Sequence, residues 1–109
     1  MKVRLLIFDE NFINNIPKNL LNKLIHLKEP IPMRIRSVIL DHYHDFNRQR
    51  FSLFGDDDKF MDQEREERFI SRGLPPIESR EYHNDLALEF IDKHPEFAPI
   101  IKEVKYIEV

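Results

Sequence analysis

Asp41, His42, His44 and Asp45 crowd into the short stretch DHYHD, and side chains of these types ligate borderline divalent ions. If the stretch is the turn of a hairpin on extended backbone, His42 and His44 point to the same side. Two imidazoles so placed could chelate Zn²⁺ with a third ligand from Asp9, Glu10, His83 or Asp85. Asp9 and Glu10 end a predicted central strand, a position where α/β sheets often carry catalytic carboxylates. The chemistry would be metal-dependent hydrolysis, nuclease action included, with Asp9, His42 and His44 as the metal set. The plainer reading is a polar turn whose Asp and Asn side chains fix local hydrogen bonds. A pair of histidines is not a converging set, so the sequence requires no metal and no other cofactor.

Arg34, Arg36, Arg48 and Arg50 flank the same stretch. On paired strands of the right register they could share a face and bind phosphates, with Tyr43, Phe46 or Phe51 stacking on bases. A slip of one residue would break that alignment. The segment that follows is acidic: residues 56–67 carry seven carboxylates against two basic groups. The economical expectation is that this acidic segment covers the arginine face, each exposed pair contributing little. A third possibility is a protein contact surface. Phe60 and Met61 at one end, Phe69 and Ile70 at the other, and Glu64, Glu66 and Glu67 between them combine apolar anchors with charge. Covalent catalysis is not indicated. The four serines lie outside any nucleophile-elbow pattern and there is no cysteine.

These residues need elements to position them. Alternation over Lys2–Phe8 predicts a strand, central because its second face is also apolar. Asp9, Glu10 and Asn11 end it. Leu20, Leu21, Leu24, Ile25 and Leu27 then recur at helical spacing behind Pro17, until Pro30 and Pro32 stop the helix. Met33–Leu40 and Gln49–Phe54 read as strands two and three. A helix through Arg72 follows, opened by aspartates that suit a helix N-terminus and closed near Gly73. Another helix runs to about Lys93, where His94-Pro95 ends it. Ile101–Val109 is the last strand. The expected fold is α+β: a two-layer sandwich of a roughly four-stranded, mainly antiparallel sheet with two to three helices, mostly on one face.

Length and composition bound the rest. A chain of 109 residues is one domain's worth, 1–109, with no repeat and no linker. Nine phenylalanines and 41% hydrophobic residues place it among folded chains rather than disordered ones. A net charge of −3 argues against a general nucleic-acid coat protein. The apolar run near the N-terminus is too short for a signal peptide, and no stretch approaches a membrane span. With no cysteine, disulfides and thiolate metal sites are impossible, and the expected location is cytoplasmic. Scarce Gly and Ala beside abundant Ile, Lys, Asn and Phe suit an AT-rich source such as a phage or mobile element.

The fragment IFDEN, residues 7–11, resembles the opening of small PIN-like nucleases over fewer than ten residues. The later aspartates such a nuclease requires, each ending its own parallel strand, are not evident. With no catalytic set closing, the leading expectation is a small protein-binding or regulatory protein, such as an inhibitor or adaptor. It would act on another protein through the charged helix and the arginine hairpin, and a homodimer is open to it. A metal-dependent hydrolase or nuclease at Asp9, His42 and His44 comes second. A nucleic-acid binder on Arg34, Arg36, Arg48 and Arg50 comes third.

Overall fold

The computed structural model describes residues 2–55 and 58–109, leaving aside the side chains of 58–61. Strand β1, Lys2–Phe8, pairs antiparallel with β2, Ile101–Glu108, and these two strands form the sheet. Between them run α1 (Glu10–Asn14), α2 (Lys18–Ile25), α3 (Met33–His42), α4 (Phe46–Phe54), α5 (Asp58–Arg72) and α6 (Pro76–Lys93). A 3₁₀ helix, Pro95–Ile100, leads into β2. The chain-terminal strands therefore meet in one sheet, as their apolar patterns predict.

The four-stranded sandwich is overturned. Met33–Leu40 and Gln49–Phe54 are helical, so the sheet has two strands and helices make up most of the fold. The physical reason is legible in α3. Ile35 and Ile39, four residues apart, are both fully buried, which is the helical period. The same residues also satisfy a two-residue alternation, and the β-branched Ile35, Val38 and Ile39 favour strand locally. Packing against α6 and α1 decides for helix. In α4 the buried pair is Phe46 and Arg50, again one helical turn apart. Gly55 closes α4 with φ 62°, a left-handed conformation that a Cβ would strain.

Asp9 ends β1 and caps α1, its carboxylate accepting the Phe12 N–H at 3.0 Å. The core gathers Leu6 of β1, Ile13, Leu24, Ile35, Ile39, Phe46, Phe90 and Phe97. Phe90 stacks on Phe97 at 5.9 Å between centroids, tying α6 to the 3₁₀ helix. Along β1, α6 takes the place of a neighbouring strand. The Arg4 backbone N–H donates to Glu81 at 2.8 Å, and the Arg4 carbonyl accepts from the fully buried Asn84 at 3.0 Å. The Arg4 guanidinium then reaches Glu81 and Asp85, fixing helix and strand in register.

Candidate functional site

The arginines expected on one hairpin face separate on the two helices. Arg50 is buried beneath α2. Its guanidinium donates to the carbonyls of Leu24 (3.0 Å), Ile25 (3.1 Å), Leu27 (2.9 Å) and Glu29 (3.1 Å). These carbonyls belong to the C-terminal turn of α2 and the segment after it, where a helix leaves acceptors unsatisfied and a cation is favoured. Arg50 also lies 5.1 Å from the centre of the Phe54 ring. It is a structural group. Arg48 is exposed, with Asp45 as a distant partner at 4.0 Å. Arg36 is held by Glu64 of α5 at 3.2 Å. The arginine hairpin thus gives way to four arginines in four different environments.

The carboxylates of α5 divide in the same way. Glu66 is exposed. Glu64 bridges Arg36 and, at 2.6 Å, Arg68. Glu67 is only 2% exposed and accepts the Met33 N–H at 3.2 Å, capping α3 where Pro32 has no side chain to offer. Burial pushes its carboxyl above the usual range, against the opposing pull of the Met33 N–H and the Arg36 charge. The expectation that Glu64, Glu66 and Glu67 form one solvated binding face therefore does not describe Glu67. The side chains of Phe60 and Met61 fall outside the described residues, as do Asp56 and Asp57.

The histidine region is a helix–helix connection instead of a hairpin turn. His42 ends α3 and pairs with Glu10 of α1 at 3.0 Å, while His44 is exposed beyond it. Asp9 is occupied in capping α1. Tyr43 is a strut: its hydroxyl donates to the Ile13 carbonyl at 2.8 Å and accepts the Ile16 N–H at 3.2 Å. Among the described residues no group of three His, Asp or Glu side chains converges as a metal site would require.

The site with unspent chemistry lies between α3 and α6. Met33, Arg34 and Ser37 from α3 face Pro76, Ser79, Arg80 and His83 from α6 around a cavity of about 320 Å³. Helical spacing supplies the lining: residues 76, 79, 80 and 83 form one stripe of α6, and 33, 34 and 37 one stripe of α3. Among the described residues no carboxylate forms an ion pair with Arg34 or Arg80. The Arg34 Nε is buried without a hydrogen-bond partner. The Arg34 guanidinium sits 5.4 Å from the centre of the Phe8 ring, which fixes its direction. Burial, and then the charge of Arg80, lower its pKa from the ordinary arginine value. It nonetheless remains protonated near neutrality. Burial, and then Arg34, likewise hold the His83 imidazole below the ordinary histidine value.

No family model matches the chain, and no curated protein and no solved structure gives a significant match. The chemistry of this cleft therefore rests on its own residues. Two guanidinium groups, two hydroxyls and an imidazole present donors and positive charge into one concave space. Such a set binds oxyanions, and planar guanidinium groups suit phosphate and carboxylate by paired N–H donation. Sequence reasoning weighs Arg34 but misses Arg80, Ser37 and Ser79, and it offers His83 only as a possible third metal ligand. The signal that could have found them is the Ser79–Arg80–His83 spacing on a periodic helix. What the sequence lacks is any indication that α3 is a helix facing it.

Proposed function

We propose that the protein is a binding protein, with no catalytic role assigned, whose ligand carries a phosphate-type oxyanion held between Arg34 and Arg80. The observation that carries the reading is the pair of cationic side chains facing one cavity with no carboxylate, among the described residues, paired to either. The exposed Arg80 sets a like charge beside the half-buried Arg34, an arrangement that is unfavourable in the absence of an anion. A bound dianion would reverse that sign. Ser37 and Ser79 would donate to its remaining oxygens, and His83 would gain a proton as the anion approached. The cavity leaves space for an organic portion beside the anionic group. We place this activity in the cytoplasm, in keeping with a cysteine-free chain in which no helix described is long and apolar enough to cross a membrane.

The test is a titration followed by NMR at the His83 imidazole, with inorganic phosphate and then with sulfate, which does not titrate near neutral pH. The expected result is a saturable shift and a rise in the His83 pKa on binding. Arg34→Gln and Arg80→Gln should each abolish the response while leaving the unfolding transition in place. A folded parent whose His83 signals ignore both anions would remove the reading.

A protein partner engaged by α5 is the second reading, and one observation favours it. Phe69 is 79% exposed and lies beside Ile70 on the helix that carries Arg65, Glu66 and Arg68. An aromatic anchor among charges is what a recognition surface offers. Capture experiments with the parent and with Phe69→Ser distinguish the two: a partner retained equally by both would place the interface elsewhere.

A further inference from the structure

The two edges of the sheet are treated differently. On the β1 edge, the Arg4 N–H and carbonyl are taken by Glu81 and Asn84 of α6. Those two Arg4 groups therefore point away from β2. In an antiparallel ladder, opposed residues alternate between pairs that exchange hydrogen bonds and pairs that do not. Arg4 opposite Tyr106 is thus a non-bonded pair, and Leu6 opposite Val104 belongs to the same class. Val3 with Ile107, Leu5 with Lys105, and Ile7 with Glu103 are the pairs that exchange bonds. It follows that the backbone N–H and carbonyl groups of Val104 and Tyr106 face outward from β2. Among the described residues no third strand meets them. β2 is largely exposed along its length, Tyr106 to 66%. A two-stranded sheet with one open edge is a template for pairing.

We propose that the outer edge of β2 is a self-association surface, on which the β2 of a second copy of this chain pairs antiparallel with Val104 opposite Val104. The occupant is read from charge. A two-fold axis requires opposed residues to lie on the same face, so the centre of the pairing falls on a residue. Centring on Val104 sets Glu103 opposite Lys105 and Lys105 opposite Glu103. It also sets Ile101 opposite Ile107 and Lys102 opposite Tyr106. Centring on Glu103 or on Lys105 would place that residue against its own copy, a like-charge contact. Centring on Tyr106 shortens the paired segment, because β2 ends at Glu108. Only outward-facing backbone groups are used at Val104, so β1 keeps its partners. Within one copy Lys105 and Glu103 already lie 3.8 Å apart on the same face, and both are about half exposed. In the pair they would form an alternating cluster of four charges.

The test is sedimentation of the full chain over a range of concentrations, with two charge variants. The parent should show reversible dimerisation. Glu103→Lys and Lys105→Glu should each self-associate about tenfold more weakly, since two complementary cross-strand pairs become two like-charged ones. An equimolar mixture of the two variants should dimerise again, because one copy then presents lysine at both positions 103 and 105 and the other presents glutamate at both. Hydrogen exchange on the parent gives an independent readout: the Val104 and Tyr106 amides should slow as concentration rises. A parent that stays monomeric up to about 1 mM would overturn the proposal. So would variants that dimerise as well as the parent, or Val104 and Tyr106 amides whose exchange is independent of concentration.

Discussion

Replacing Arg50 by alanine should be among the most destabilising single changes in the molecule, although a sequence reading places this arginine on a binding surface. Its guanidinium serves four backbone carbonyls, two in the last turn of α2 and two in the segment after it, at 2.9–3.1 Å. A hydrogen bond to a charged donor is worth a net ~1.5–3 kcal/mol, and a buried acceptor left alone costs ~1–3 kcal/mol. Those terms do not simply add, because one desolvated guanidinium supports all of them and its burial opposes folding. Leu24 and Ile25 are buried, so their carbonyls gain little from water once the donor is removed. The stacking on Phe54 is lost as well, for about 1 kcal/mol more. The expected net loss is about 3–4 kcal/mol, a large share of the ~5–15 kcal/mol that holds a domain of this size together. In a thermal scan that corresponds to a fall in Tm of roughly 10–20 °C. Arg50→Lys keeps the charge but not the fork of donors and should lose about half as much. Urea unfolding of the three proteins measures this directly. Because the contacts are buried, the loss should persist in high salt, where a surface pair would fade. A loss below about 0.5 kcal/mol for Arg50→Ala, the scale of an ordinary surface substitution, would refute the assignment of Arg50 to the fold.

Further outcomes follow from single contacts. The raised Glu67 carboxyl binds a proton more readily in the folded chain than in the unfolded one. Its contribution to stability is therefore fully present below the ordinary carboxylate pKa and declines as pH rises through the folded value. Glu67→Gln should flatten that part of the stability–pH curve, whereas Glu67→Lys should unfold the chain; equal pH profiles for the parent and Glu67→Gln would contradict this. Tyr43→Phe removes a hydroxyl that serves both Ile13 and Ile16 and should cost about 1–2 kcal/mol in urea unfolding. Gly55→Ala should cost about 1–3 kcal/mol, because φ 62° with ψ −143° is a conformation open essentially to glycine alone; no steric clash adds to it, since nothing lies near the new Cβ.

The ends of the chain were legible and its middle was not. β1, α2, α5, α6 and β2 each carry one unambiguous period or a clear stop, such as Pro32 before α3 or His94-Pro95 after α6. α3 fits both periods at once, since Ile35 and Ile39 are separated by four residues, a multiple of two and also close to a helical turn. α4 hides its inward face because one of its buried positions is an arginine. A charge normally marks the solvent side, and only the carbonyls of α2 explain why Arg50 turns inward. The candidate cleft depends on that same misread region. Arg34 and Ser37 join Arg80 and His83 only when residues 33–42 are wound as a helix against α6. On a strand, Arg34 and Ser37 would lie on opposite faces.

The covering of β1 by Glu81 and Asn84 also bears on solubility. A sheet open on both sides can add copies without end, and that is how strand edges seed fibres. Here α6 packs along β1 and its Glu81 and Asn84 occupy the outward backbone groups of Arg4, so a strand added at β2 meets a sheet whose other edge is obstructed. If β2 pairs as proposed, assembly through this sheet would stop at a closed pair. Replacing both Glu81 and Asn84 with alanine would free the Arg4 N–H and carbonyl, leaving the bulk of α6 alone to stand between this edge and a further strand.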